Sequence, residues 1–237
     1  MNKHFEKNLV GNDYVVGDIH GCFSRLQQLL NYTILFDYSK DRLFCVGDLV
    51  DRGPESYMVL DWLSQPWFHS VKGNHEEMII NAFTTSNTQD INLSYNNGGR
   101  WFFELYFPEK QEPYVNAFLQ LPLSITIDTD KGKVGIIHAE VFHNDWNIMQ
   151  NATKKGTPEY PIYPIGGPGW SNRMANEYAL WSRKKYKAQD QTIIQNIDTV
   201  YCGHTPLKQS TTLGNQVYID TGAVYKDDGG FFTIIKL

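Results

Sequence analysis

Apolar residues in the first third of the chain follow two alternating patterns. Short β-type runs, too brief to be buried helices, are followed by segments whose apolar residues recur at helical spacing. The runs predict strands at Tyr14–Val16, Leu43–Val46 and Phe68–Val71. The periodic segments predict helices at Cys22–Leu30, Glu55–Leu63 and Glu76–Phe83. Strands that alternate with helices are typical of an α/β fold.

The rest of the chain contains further strands but breaks the alternation twice. Strands are predicted at Val134–Ile137, Thr199–Cys202 and Gln216–Ile219. Residues 84–121 are first polar and then aromatic, and we expect them to form a helical excursion. Residues 144–172 are so dense in proline and glycine that we expect no regular structure there, but a functional or disordered loop.

The composition limits the classes of protein to which the chain can belong. Its 237 residues suffice for a large core, and no linker divides them, so we expect a single domain over residues 1–237. The net charge of −5 argues against a general nucleic-acid or membrane-surface binder. An anionic substrate would therefore have to be attracted locally.

The sequence shows neither a secretion signal nor a disulfide pattern. The N-terminal residues lack the apolar core of a signal peptide, and no apolar run is long enough to span a membrane. Cys22, Cys45 and Cys202 are odd in number and form no CxxC pair, so we expect reduced thiols. These features predict a cytoplasmic protein.

Polar side chains follow almost every predicted strand. Ligands of open α/β sheets bind beyond the carboxyl ends of the strands, where glycines let the backbone turn sharply. The potential metal ligands at these ends are Asp18, His20, Asp48, Asn74, His138 and His204. Carboxylate, imidazole and amide donors without thiolates suit manganese, iron or zinc. Six donors are too many for one tetrahedral ion but fit two ions, about 3.5–4 Å apart, that share a carboxylate.

Each of these residues, taken alone, has a simpler explanation. An aspartate after a strand can cap the next helix, and a lone histidine is more often a core or surface group than a ligand. We apply the second explanation to His4, His69 and His143. It fails for the six donors because chance would rarely place all of them at strand ends.

The glycine-rich turns also resemble a known signature. GDIHG at 17–21, GDLVDRG at 47–53 and GNHEE at 73–77 are similar to the metallophosphoesterase signature of the Ser/Thr protein phosphatase family, in its small bacterial and bacteriophage branch typified by lambda phosphatase. The likeness continues in order through NNGGRWFF at 96–103, ALWSR at 179–183, GHTP at 203–206 and IDTGAVY at 219–225. The resemblance implies a metallophosphoesterase-type β-sandwich flanked by helices (αββα), with a dinuclear metal site at the C-terminal ends of the strands.

The resemblance further implies which residues bind the metals. Asp18 and His20 would bind the first ion, and Asp48 would bridge both ions. The ligands of the second ion would be Asn74, His138 and His204. The cofactors would be two divalent ions, with Mn²⁺ expected before iron or zinc.

The same resemblance implies the catalytic and phosphate-binding residues. His75 would donate a proton to the leaving group, oriented and kept cationic by Asp51. An imidazolium paired with a carboxylate has a raised pKa and is a credible general acid near neutrality. The residues that would bind phosphate are Arg52, Lys72, Asn74 and Arg183. Lys72 departs from the family, which usually has arginine there, and lysine offers a point charge without the planar fork.

The implied activity is that of a metal-dependent phosphomonoester hydrolase. It would act on phosphoserine and phosphothreonine in proteins or peptides, with phosphotyrosine or phosphohistidine as further options. A water that bridges the metals would attack phosphorus in line. We expect neither a nucleic-acid nor a membrane partner. The Pro/Gly-rich loop 144–172, which contains Tyr160, Tyr163 and Trp170, would form one side of the substrate groove.

Two alternative functions compete with this one. A symmetrical bis(5'-nucleosyl)-tetraphosphatase has a closely related signature, but that family lacks the aspartate that Asp51 provides here. A non-catalytic scaffold on the same fold is disfavoured because the ligand set and the His75–Asp51 pair are intact.

Overall fold

The computed structural model of the protein describes residues 2–153 and 170–237, with residues 170–172 described as backbone only. Its strands, in chain order, are β1 (Asn2–Phe5), β2 (Asp13–Val16), β3 (Arg42–Cys45), β4 (Phe68–Ser70), β5 (Ser124–Thr129), β6 (Gly132–Ile137), β7 (Thr199–Cys202), β8 (Thr211–Leu213), β9 (Gln216–Tyr218) and β10 (Ile234–Lys236). They form two sheets, one with four strands and one with six.

The four-stranded sheet has the order β10-β2-β3-β4. β2, β3 and β4 are parallel, with Val15 opposite Phe44 and Phe44 opposite His69, while β10 runs antiparallel to β2. Because the three neighbours are parallel, their carboxyl ends meet at one edge of the sheet.

The six-stranded sheet has the order β1-β5-β6-β7-β9-β8. β6, β7 and β9 are parallel, whereas β5 and β8 run antiparallel to β6 and β9. The residues that follow β6 and β7 therefore also lie at a common edge. Sheets of this mixed kind are common in α/β folds.

Both sheets bury both faces, and the alternation of side chains along each strand explains how. Val15 and Phe44 pack against Ile125 and Ile136 in the core between the sheets. Their strand neighbour Val16 points the other way, into the core beneath the helices of its own side. A third core beside the six-stranded sheet includes residues of β6, β7 and β9. This confirms the predicted αββα layers.

The helices cover the outer faces of the sheets. They are α1 (Phe23–Leu29), α2 (Val59–Leu63), α3 (Asn74–Thr85), α4 (Thr88–Ser94), α5 (Arg100–Phe103), α6 (Pro108–Gln120), α7 (Trp146–Ala152), α8 (Trp170–Trp181) and α9 (Lys184–Ala188). Short 3₁₀ or π turns lie at Leu30–Ile34, Ser56–Met58, Tyr95–Gly99, Phe142–Asn144 and Ala223–Asp228. α4, α5 and α6 confirm the helical excursion predicted over residues 84–121.

The Pro/Gly-rich region corrects one prediction. Part of residues 144–172 is helical, because Asp145 caps α7 by accepting a hydrogen bond from the Ile148 N–H (2.9 Å), and Trp146 and Met149 are buried. α8 also begins inside this span, at Trp170. The predicted loop and its proposed groove fall mostly on residues 154–169, which lie outside the described residues.

Two smaller expectations concern the cysteines and the membrane. Cys22, Cys45 and Cys202 are free thiols, as predicted. Among the residues that the structure describes, none of the helices is both long and apolar enough to cross a membrane.

Candidate metal site

Backbone hydrogen bonds join the turn after β2 to the turn after β3. The Asp48 carbonyl accepts hydrogen bonds from the N–H groups of Ile19 (3.0 Å) and His20 (2.8 Å). His20 and Asp48 both have positive φ, at 44° and 50°, in the left-handed region that non-glycine residues rarely adopt. Such strained turns persist where the surrounding structure fixes them, and they are frequent at functional sites.

Glu76 joins the turn after β3 to the turn after β4. Its fully buried carboxylate accepts hydrogen bonds from the backbone N–H groups of Asp48 (3.1 Å), Leu49 (2.8 Å) and Gly73 (2.7 Å). The Asp48 carboxylate in turn accepts one from the His75 N–H at 3.1 Å. Sequence reasoning treated Glu76 only as the start of a helix, although its place in GNHEE could have indicated this role.

The two histidines of the six-stranded side follow β6 and β7. His138 donates its Nδ1–H to the Val46 carbonyl at 2.9 Å, and His204 donates its Nε2–H to the Trp181 carbonyl at 3.2 Å. The second nitrogen of each ring must then carry a lone pair. Both lone pairs face the Asn74 side-chain oxygen, at 2.8 Å and 2.9 Å.

Asp48 lies between two groups of potential ligands. Its Oδ1 is 3.3 Å from His138 Nε2, while its Oδ2 is 3.6 Å from His20 Nε2 and 3.9 Å from His75 Nε2. His20, Asp48 and His75 form one buried group, and Asp48, His138 and His204 form the other, each with ligand atoms within 4.8 Å of one another. One carboxylate oxygen thus faces each group.

Asp18 approaches this cluster from the side of β7. Both carboxylate oxygens accept hydrogen bonds from the His204 N–H, at 3.3 Å and 3.1 Å. A Cβ on Gly203 would collide with the same carboxylate, so the turn requires glycine. Burial, together with the nearby carboxylates of Asp220 and Asp48, raises the pKa of Asp18 well above its usual value. Asp220 follows β9, and sequence reasoning assigned no role to it.

The chemistry of this donor set fits divalent metal ions. Burial lowers the pKa values of His20, His138 and His204, the last to about 3, so these imidazoles are neutral at physiological pH. The lone pairs of His138 and His204 converge on the Asn74 oxygen, and that of His138 also lies near the Asp48 carboxylate; these oxygens are acceptors as well. Acceptors that face one another in a buried site repel, and a bound cation removes this repulsion because all of them can coordinate it. At the low pH at which Asp48 would take up a proton, the surrounding imidazoles, His138 foremost, become charged, so they hold the pKa of Asp48 below its usual range despite burial.

His75 and Asp51 form a buried pair beside the cluster. His75 Nδ1–H donates to Asp51 Oδ2 at 2.7 Å, which leaves Nε2 directed toward Asp48. Burial disfavours the imidazolium, but Asp48 and Asp51 outweigh this effect and raise the pKa of His75. The indole of Trp101, which sequence reasoning missed, donates to the other Asp51 oxygen. Only the quoted motif NNGGRWFF could have pointed to it.

Two arginines contact residues of the cluster. Arg52 has a positive φ of 67° and donates from Nη1 to His20 Nε2 at 2.5 Å. Arg183 follows α8 and donates from Nη2 to the His204 carbonyl at 2.9 Å. Both side chains are exposed to solvent.

Lys72 is directed elsewhere. Its ammonium pairs with Glu77 Oε2 at 2.8 Å, on the first turn of α3. The sequence places Lys72 among the phosphate-binding residues, and this role stays a prediction beside the observed local ion pair.

A buried glutamate that the sequence did not single out holds the segment that carries Arg183. Glu140 accepts hydrogen bonds from the Ser182 hydroxyl (2.5 Å) and from the N–H groups of Lys185 (3.1 Å) and Tyr186 (2.9 Å). It thereby satisfies donors at the start of α9.

Comparison with known proteins agrees with this site. A model of the calcineurin-like phosphoesterase family matches residues 14–209, and the chain belongs to this family. It is 35% identical over 239 residues to Serine/threonine-protein phosphatase 2 of Escherichia coli (strain K12), covering 99% of this chain and 96% of that protein. It is 29% identical over 241 residues to the asymmetrical bis(5'-nucleosyl)-tetraphosphatase PrpE of Geobacillus thermodenitrificans, covering 94% and 89%.

The fold is also found in solved structures. A protein serine/threonine phosphatase from Saccharomyces cerevisiae superposes with a TM-score of 0.57 at 18% identity, covering 91% of this chain and 70% of that one. This likeness supports the αββα architecture.

Proposed function

We propose that the chain is a metal-dependent phosphomonoester hydrolase that acts on phosphoserine and phosphothreonine in proteins. The observation that carries the proposal is the buried His75–Asp51 pair, whose free imidazole nitrogen lies 3.9 Å from the carboxylate that the two ligand groups share. A proton donor set against a metal site is what hydrolysis of an alkyl phosphate requires, because its alkoxide is a poor leaving group. The similarity to a named Ser/Thr protein phosphatase supports the same substrate class.

Two divalent ions are the proposed cofactors. Asp18, His20 and Asp48 would hold one, and the other would be held by Asp48, Asn74, His138 and His204. Ions bound there would supply positive charge beside the phosphoryl group and acidify a coordinated water. The mixed oxygen and nitrogen donors suit manganese first, with iron or zinc as alternatives. The cytoplasmic location stays a prediction from the sequence.

The remaining residues have complementary roles in this proposal. Arg52 and Arg183 bind the phosphoryl oxygens from two sides, since guanidinium groups form paired hydrogen bonds with phosphate and stay charged. His75 donates its Nε2 proton to the departing serine or threonine oxygen. Asp51 keeps the imidazole in the required orientation and stabilises its cationic form.

A second candidate is hydrolysis of a dinucleoside tetraphosphate, which the similarity to PrpE favours. A phosphoanhydride has a good leaving group and needs less protonation. The contact between His75 and Asp51 is therefore better explained by an alkyl phosphate ester.

A direct comparison of substrates tests the proposal. The purified protein, stripped with a chelator and reloaded with Mn²⁺, is assayed on a phosphoserine peptide and on diadenosine tetraphosphate. We expect a kcat/KM at least about tenfold higher for the peptide, and loss of both activities after chelation. A preference for the dinucleotide, or activity that survives chelation, would contradict the proposal.

A further inference from the structure

The segment NNGGRWFF, at 96–103, packs directly behind the turn that carries Asp51 and Arg52. Gly98 has a φ of +104°, and a Cβ there would lie 2.6 Å from the Arg52 backbone nitrogen. Glycine is required at this close approach. The segment then enters α5, which places Trp101 beside Asp51.

Each oxygen of the Asp51 carboxylate receives one hydrogen bond. Trp101 Nε1–H donates to Oδ1 at 2.7 Å, and His75 Nδ1–H donates to Oδ2 at 2.7 Å. The Asp51 backbone N–H donates to the Ser56 hydroxyl at 2.8 Å, which fixes the main chain of the same residue. Asp51 itself is fully buried, so water does not compete for these oxygens.

The Trp101 ring is itself held in place. It packs edge-on against Tyr114, with ring centroids 5.1 Å apart and an interplanar angle of 73°. Phe102 contacts it from another side at 5.8 Å. Because aromatic contacts of this kind restrict the ring, the indole N–H is aimed at Asp51 before any substrate arrives.

We propose that Trp101 is a positioning residue for proton donation: its indole N–H locks the Asp51 carboxylate, which in turn holds the His75 imidazole with Nε2 facing the site. The inference rests on the proposed role of His75 as proton donor. An indole suits this position because it donates one hydrogen bond and cannot accept the proton that His75 must deliver to substrate.

Loss of this hydrogen bond would leave Asp51 Oδ1 buried without its donor. The carboxylate would then rotate or recruit water, and the His75 ring would lose its fixed orientation. Proton donation matters for a phosphoserine ester but little for an aryl phosphate, whose leaving group departs without help. The effect of losing Trp101 should therefore depend on the substrate.

The test compares Trp101→Phe with Trp146→Phe. Trp146 also donates an indole hydrogen bond, to Thr126 Oγ1 at 3.0 Å, but it lies in the core of the six-stranded side, so it controls for loss of an indole. In the Mn²⁺-loaded Trp101→Phe protein we expect kcat on a phosphoserine peptide to fall roughly tenfold, a part of the ~10²–10⁴ that general acids contribute. Turnover of 4-nitrophenyl phosphate, both KM values and metal content should change less than about twofold.

A second readout does not depend on activity. In metal-free protein, the proton on His75 Nδ1 should give a downfield NMR signal, because it is bonded to a buried carboxylate. We expect Trp101→Phe to shift or broaden this signal and Trp146→Phe to leave it unchanged. If Trp101→Phe does not fold, benzothienylalanine at position 101 replaces the N–H by sulfur in a ring of similar shape.

The outcomes separate this inference from the function on which it rests. His75→Asn is assayed in parallel, and a loss confined to the phosphoserine peptide identifies His75 as the proton donor. Suppose that His75→Asn shows this selectivity. If both position-101 variants then lower turnover of the two substrates equally, or lower turnover of neither, the role of Trp101 is overturned. If His75→Asn itself lowers turnover of both substrates equally, the proton-donor role of His75 is contradicted. In that case an unchanged His75 Nδ1–H signal in Trp101→Phe would also contradict the positioning role of Trp101.

Discussion

The four-stranded and six-stranded sides of the molecule contribute to the same site in different ways. On the four-stranded side, the turns after β2, β3 and β4 lie beside one another and are tied together by the Asp48 carbonyl and the Glu76 carboxylate. On the six-stranded side, His138 is held by a bond to the Val46 carbonyl, which follows β3 of the opposite sheet. The four-stranded side of the site is therefore built from neighbouring turns, whereas the six-stranded side is anchored by a hydrogen bond to the opposite sheet.

The two sides also contribute different candidate functional groups. The four-stranded side holds the shared carboxylate, the buried His75–Asp51 pair and Arg52. The six-stranded side holds the two proposed ligand histidines, His138 and His204, and Arg183, whose guanidinium bonds to the His204 carbonyl. Variants can therefore be chosen to affect both sides, only the six-stranded side, or neither.

Asp48→Asn should have the largest effect because Asp48 faces both ligand groups. Its two oxygens lie 3.3 Å from His138 Nε2 and 3.6 Å from His20 Nε2, and an amide would remove the negative charge between them. We expect kcat/KM to fall by roughly 10³-fold or more, as when preorganised charge is lost from a reaction centre. Metal analysis should find fewer equivalents per chain.

A control for losing a buried carboxylate is available in the same sheet. Asp13 is buried and pairs with Arg42 at 2.7 Å, so Asp13→Asn should lower stability but leave metal content and turnover unchanged. Two full equivalents of metal in Asp48→Asn would contradict the role of Asp48 as a ligand shared by both metal sites. The two sides would then bind metal independently.

Sequence reasoning was most successful where the site follows the chain directly. The strands before Asp18 and Asp48 are apolar runs followed closely by a glycine, so their positions and their polar ends were visible together. The same pattern predicted an α/β fold, whereas the αββα layers were implied only by the resemblance to the metallophosphoesterase signature. These features are local in the sequence. Because the strands are parallel neighbours, the polar residues at their ends lie along one edge of the sheet.

What the sequence missed depends on contacts between distant parts of the chain. The edge strands β1, β8 and β10 were not predicted because short strands such as Asn2–Phe5 lack a long apolar run, and the inner, buried strand β5 was missed because its isoleucines alternate with serine and threonine. The bonds from Trp101 to Asp51 and from Ser182 to Glu140 join residues remote in sequence. No periodicity encodes such pairs, and only the fold brings them together.

Glu140→Gln should affect the six-stranded side alone. The carboxylate accepts bonds from Ser182, Lys185 and Tyr186, and an amide would place an NH₂ group against one of those donors. The turn that presents Arg183 should loosen, at a cost of about 1–3 kcal/mol for an unsatisfied buried group. We expect KM for an aryl phosphate and Ki for inorganic phosphate to rise about five- to tenfold.

Metal content in Glu140→Gln should stay that of the parent, because the proposed ligands His138 and His204 are anchored by backbone carbonyls. Combining it with Arg183→Gln should add little beyond Arg183→Gln alone, since both changes act through one guanidinium. Full additivity of the two changes, or loss of metal in the single variant, would show that Glu140 acts on something other than Arg183.

Lys72→Met should have the smallest effect and should separate the site from its surroundings. The sequence placed Lys72 at the phosphate, yet its ammonium is 2.8 Å from Glu77, and both side chains are only partly exposed. To reach phosphate the ammonium would have to leave that carboxylate. We expect KM and phosphate Ki to change less than about twofold, with a loss of stability of about 1 kcal/mol or less, as for partly exposed ion pairs. Glu77→Gln should give the same small loss of stability. A severalfold rise in KM for Lys72→Met, absent in Glu77→Gln, would instead return Lys72 to the phosphate-binding residues and make the four-stranded side the source of two phosphate-binding cations.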